Sequence, residues 1–108
     1  MRRVVITGLG IVSSIGNNAE EVSESLKLGK SGVTFSDEYQ FHGFRSQVHA
    51  MPKIKLEEYV DKRQLRFMGD GAAFNYIAME QAIEDSGLEN SEISNEKTGL
   101  IMGSGGPS

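Results

Sequence analysis

Arg3-Val4-Val5-Ile6-Thr7-Gly8-Leu9-Gly10 is a short β-branched run that stops on two glycines one residue apart. Branching at Cβ favours extended backbone, and an unbroken apolar run of this length is the pattern of a strand covered on both faces. A second run, Thr98 to Met102, enters Gly103-Ser104-Gly105-Gly106-Pro107. The segments between them carry helical signals. Strand, helices, strand is the order of a β-α-β unit, whose crossover makes the two strands parallel. The fold class read here is therefore α/β, with parallel strands and covering helices. Two parallel strands cannot cover both of their own faces, so the 108 residues read as part of a larger fold.

The first helical signal is Asn18 with Glu21 three residues on, an N-cap and its reciprocal acid, leading a helix over Ala19 to Leu28 that Gly29 closes. Residues 31 to 55 hold turn formers, scattered aromatics (Phe35, Tyr39, Phe41, Phe44) and two short extended pieces around Val33 and Val48. Lys55 to Met68 reads as helix in two pieces, broken near Val60 and Asp61. From Ala72 to Ser86, Phe74, Ile77, Ala78 and Ala82 share one face, with Tyr76, Met79 and Ile83 beside it. So wide an apolar band predicts a helix covered on most sides, and Gly87 is placed as its C-cap. Glu84 and Asp85 stand unfavourably near the negative end of its dipole.

An apolar fraction of 38% with 24% charged residues is ordinary for a folded chain. No apolar stretch approaches the roughly 18 to 20 residues that cross a bilayer, and Val4 to Ile6 is too brief for a signal sequence. With no cysteine there is no disulfide, thiolate metal site or cysteine nucleophile in these residues, which fits a cytoplasmic setting. Charge is uneven. From Arg45 to Arg66 six bases (Arg45, Lys53, Lys55, Lys62, Arg63, Arg66) face three acids, a balance of +3, whereas residues 67 to 108 carry one base against seven acids. A basic stretch on a chain of net charge -4 points to an acidic partner or to a solvated helix face, and argues against nucleic acid.

Gly8-Leu9-Gly10 opens like a dinucleotide fingerprint, but Ser13 stands where a third glycine or alanine is needed, and no acid closes a following strand. His42 and His49 have no carboxylate or cysteine at metal-ligand spacing and read as surface or structural histidines. No cofactor or metal is expected. The adjacent pairs Glu20-Glu21 and Glu57-Glu58 read as solvated faces. Gly103 to Gly106, at a strand's carboxyl end, fit both a ligand's close approach and a turn with positive φ.

Read in order, Met1 to Asn18, Gly29-Lys30-Ser31-Gly32, Asp61 to Met68, Met79 to Ile83, Asp85 to Leu88 and Gly99 to Gly106 resemble the opening of the bacterial β-ketoacyl-acyl carrier protein synthases. The resemblance spans essentially the whole chain, and Ser13-Ser14-Ile15-Gly16 resembles the type I enzymes more than type II. It implies a thiolase-like fold, with residues 1–108 the N-terminal part of a synthase N-terminal domain. It also implies a cytoplasmic homodimer and decarboxylative condensation of acyl and malonyl groups carried on the phosphopantetheine of acyl carrier protein. The catalytic cysteine and histidines would lie beyond Ser108, so no catalytic residue is assigned here. Lys62, Arg63 and Arg66, with Arg45 beside them, match the family's carrier-protein-binding bases. Gly105 and Gly106 match the turn that lines its acyl pocket, where Pro107 departs from the usual glycine. The rival readings are a free-standing carrier-protein-binding module without catalysis and a nucleotide-binding domain.

Overall fold

The computed structural model describes residues 1–105, which form two compact units. One combines Met1–Val12 with the residues from Lys55 on; the other is Ser13–Ile54.

In the second unit, helix α1 spans Ala19–Leu28. The Asn18 side chain accepts the Glu21 N–H at 3.0 Å, and Gly29 closes the helix in the left-handed conformation at φ 64. Glu21 reaches one residue further back than a standard capping box, its carboxylate accepting the Asn17 N–H at 2.7 Å. It is thus the capping acid that its spacing from Asn18 indicated, and its side chain stays exposed. Strand β1 (Thr34–Phe35), helix α2 (Asp37–Phe41) and strand β2 (Val48–His49) follow, and β1 pairs with β2 antiparallel. These are the two extended pieces expected around Val33 and Val48. The Ser25 hydroxyl donates to the Ile15 carbonyl at 2.6 Å and ties α1 to the turn before it.

In the first unit, a 3-10 turn at Leu56–Glu58 leads to helix α3 (Lys62–Leu65), helix α4 (Asp70–Ser86) and helix α5 (Asn90–Ile93). The break between the two helical pieces falls at Tyr59 to Asp61, as the sequence indicated, with Val60 buried at the corner. Helix α4 starts two residues earlier than its apolar band suggested. Its core contacts are Ala73 and Ile77, and Gly87 ends it at φ 63.

The two long strands do not form. Among the described residues the sheet is β1 with β2, antiparallel, and neither Arg3 to Thr7 nor Thr98 to Met102 joins a ladder. Parallel pairing is expected within a sheet of several covered strands, which this chain does not supply. Val4 and Ile6 are accordingly more than nine-tenths exposed. The residues after them are nevertheless seated on α4. Leu9 N–H donates to Asp85 at 3.0 Å and Ile11 N–H to Gln81 at 3.1 Å. Residues four apart on a helix and two apart on an extended chain are both about 6 to 7 Å apart, so one helix face can satisfy both amides.

Candidate functional site

The basic cluster begins with a cap. Asp61 accepts the Arg63 N–H at 2.7 Å through its side chain, and its carbonyl accepts from Gln64 and Leu65 at 3.0 Å each. That fixes a single helical turn, with Leu65 half-buried and Lys62, Arg63 and Arg66 exposed. Arg66 sits just past α3 but keeps helical dihedrals (φ -61, ψ -21), so the spacing of the three bases continues through it. Lys62 and Arg66 are four apart and Arg63 three from Arg66, which makes them neighbours on one surface. Among the described residues the only ion pair is Lys55 with Glu58, at 3.8 Å. The three bases therefore present uncompensated charge. Arg45, exposed in the turn after α2, belongs to the other unit.

The second candidate is a cavity of about 310 Å³ in the unit that holds α4. Its walls are Gly10 to Val12, the Gly71, Phe74, Asn75 and Ala78 face of α4, and Ile101 to Gly105. Small residues at positions 71 and 78 of α4 leave the space open. Neither Gly103 nor Gly105 has a positive φ, and a Cβ on either would meet nothing within 4 Å. The positive-φ turn reading therefore fails for these two glycines, and no contact among the described residues requires them. Gly106 and Pro107 lie outside the described residues.

Gly8 and Gly10, neither with a positive φ, bring the chain against α4. A Cβ on Gly8 would stand 2.8 Å from the Ser86 nitrogen, and one on Gly10 2.9 Å from the Ala82 nitrogen, inside contact distance of the α4 backbone. Their role is to let chain and helix touch. The sequence also concealed the work of Gln81 and Asp85, two polar side chains one turn apart beside an apolar band. The amide hydrogen bond explains why Asp85 is tolerated near the helix C-terminus. His42 and His49 sit against rings, His42 with Phe41 at 5.2 Å between centroids and His49 with Tyr39 at 5.6 Å, the structural role expected of them.

The model of the "Beta-ketoacyl synthase, N-terminal domain" family matches residues 1–107. This chain belongs to the β-ketoacyl synthase family. Along 97% of its length it is 51% identical to 3-oxoacyl-(acyl-carrier-protein) synthase 1 of Haemophilus influenzae, and along 100% it is 50% identical to the same-named protein of Escherichia coli K12. Identity to 3-oxoacyl-(acyl-carrier-protein) synthase 2 of Vibrio cholerae is 34% over 96% of the chain, in keeping with the type I character of Ser13 to Gly16. The chain spans about a quarter of the length of these curated relatives, 25 to 27%. The family carries a thiolase-like α/β fold, so this synthase segment is α/β even though its long strands stand unpaired. No helix among its described residues is long and apolar enough to cross a membrane.

Proposed function

We propose that this segment belongs to a fatty-acid-elongating β-ketoacyl-acyl carrier protein synthase, and that its part is to receive the carrier and border the acyl group. The observation that carries the reading is half-identity to type 1 synthases along the whole chain, with three uncompensated bases together at α3. In the reaction proposed, a cysteine thiolate takes the acyl group from its phosphopantetheine thioester and releases the carrier thiol. Malonyl-carrier then loses carbon dioxide, and the resulting carbanion attacks the acyl-enzyme carbonyl. Two histidines hold the developing oxyanion, and the thiolate leaves as 3-oxoacyl-carrier forms. The cysteine is not among these 108 residues, and neither His42 nor His49 is assigned a part.

Lys62, Arg63 and Arg66 are the proposed docking residues, with Arg45 a further contact. An acidic helix of acyl carrier protein fits such a surface by charge, and rim charges act mainly by steering encounter and fixing orientation. Gly105, at the wall of the α4 cavity, and Gly106 are the proposed acyl-pocket residues, since glycine allows a chain to pass close to backbone. We place the protein in the cytoplasm as a homodimer. Condensation assays test the reading: full-length protein should form 3-oxoacyl-carrier from acyl- and malonyl-carrier, and the isolated 108-residue chain should form none. Product from the isolated chain, or none from the full-length protein, would contradict it. A native reading frame that stopped at Ser108 would instead favour a binding module without catalysis.

A further inference from the structure

The bonds that start the basic turn all end on Asp61. Its carboxylate accepts the Arg63 N–H at 2.7 Å, and its carbonyl accepts the Gln64 and Leu65 N–H groups at 3.0 Å each. Two further bonds carry the turn past Arg66, from Phe67 N–H to the Gln64 carbonyl at 3.0 Å and from Met68 N–H to the Leu65 carbonyl at 3.2 Å. Packing holds it at few points. Val60 before the turn is buried and Leu65 half-buried, while every other residue from Asp61 to Phe67 is exposed. A helix of four residues has little stability of its own, because its first turn fixes several dihedrals for one hydrogen bond. Whether it forms therefore depends on its cap and these anchors, and the spacing that sets Lys62, Arg63 and Arg66 on one surface depends on it in turn.

Asp61 is also an acid among bases, on a surface proposed to meet an acidic partner. Glu57 and Glu58 are the other acids of the stretch, and Glu58 is paired with Lys55 at 3.8 Å. Asp61 has no ion pair among the described residues; its carboxylate is engaged by backbone. We infer that Asp61 is a positioning residue for carrier binding, its carboxylate keeping the three bases at helical spacing by capping α3. This deepens the docking reading above and rests on it. A partner that binds only the formed turn binds more weakly by the fraction of molecules in which the turn is formed. Loss of an N-cap shifts such a local equilibrium about fivefold. Asn caps about as well as Asp but carries no charge. The capping role therefore separates Ala from Asn at this position, whereas an acid acting only by its charge would give the two substitutions the same effect.

The test uses the full-length synthase with Asp61→Ala, Asp61→Asn and the pair Lys62→Glu with Arg66→Glu. Each is assayed with carrier-bound acyl substrate and with a small acyl thioester lacking the protein. Asp61→Ala should raise KM for the carrier-bound substrate alone, about two- to fivefold, with kcat little changed. Asp61→Asn should stay at or below the unmodified KM. The Leu65 amide, whose acceptor is the Asp61 backbone carbonyl, should exchange hydrogen about two- to fivefold faster in Asp61→Ala and not in Asp61→Asn. If the pair variant shows its carrier-specific rise while Asp61→Ala shows none, or shares its effect with Asp61→Asn, this inference alone is overturned. No carrier-specific rise in the pair variant overturns the docking reading and this inference with it. An Asp61→Ala enzyme that loses both substrates equally means that Asp61 supports the fold and not the docking surface, which also overturns the inference.

Discussion

Replacing Gly10 by alanine tests how the N-terminal segment is held. A methyl there would stand 2.9 Å from the Ala78 carbonyl carbon and 2.9 Å from the Ala82 nitrogen, where ordinary contact begins near 3.4 Å. Both obstacles are helix backbone, which cannot turn aside as a side chain would. The segment must therefore lift away from α4 and stretch the 3.1 Å bond from Ile11 N–H to Gln81. Overpacking of this kind costs about 1 to 3 kcal/mol, and a lost hydrogen bond adds about 1. The expected loss is about 2 to 4 kcal/mol, felt first where the contact is made. Hydrogen exchange of the full-length synthase reads it directly: amides of Leu9 and Ile11 should exchange about 30-fold faster or more in Gly10→Ala, since about 1.4 kcal/mol is a factor of ten. Gln81→Leu, which removes the acceptor of the Ile11 N–H and leaves the glycine contact in place, should give roughly a fivefold or larger change at Ile11. Unchanged exchange at both amides in Gly10→Ala would mean the segment is not seated on α4, and the account of Gly8 and Gly10 would fall.

Two further outcomes are expected. Asn18→Ala removes the side-chain acceptor of the Glu21 N–H and should destabilise α1 by about 1 kcal/mol, measured as a lowered denaturation midpoint of the full-length protein. The isolated 108-residue chain should be poorly stable or self-associate, because Val4, Ile6, Phe67 and Ile101 each stand about nine-tenths or more exposed; a cooperative melt together with a monomeric mass would contradict this.

The helices were legible because their signals are local. Asn18, Gly29 and Gly87 mark ends through bonds made within a few residues, and the corner at Tyr59 to Asp61 is marked by the Asp61 cap of α3 with Val60 buried beside it. Arg3 to Thr7 and Thr98 to Met102 carry the composition of covered strands, but a strand exists only through its neighbours, and pairing is not written in the run itself. Asp85 was misjudged for a related reason. Its partner is a backbone amide, Leu9 N–H, 76 positions away. The basic cluster was visible as spacing, Lys62, Arg63 and Arg66 at three and four, whereas the absence of a counter-ion among the described residues is seen only in the fold.

The central claim, that α3 and the residue after it receive an acidic carrier protein, is tested most directly by the steady-state KM of the Lys62→Glu, Arg66→Glu synthase for carrier-bound acyl substrate against a small acyl thioester. Charge reversal at an exposed rim should slow encounter, so KM for the carrier-bound substrate should rise about tenfold or more at low salt with kcat little changed. That rise should shrink as salt screens the field beyond about 8 to 10 Å. An equal loss on both substrates, insensitive to salt, would make Lys62, Arg63 and Arg66 an ordinary solvated helix face and contradict the account.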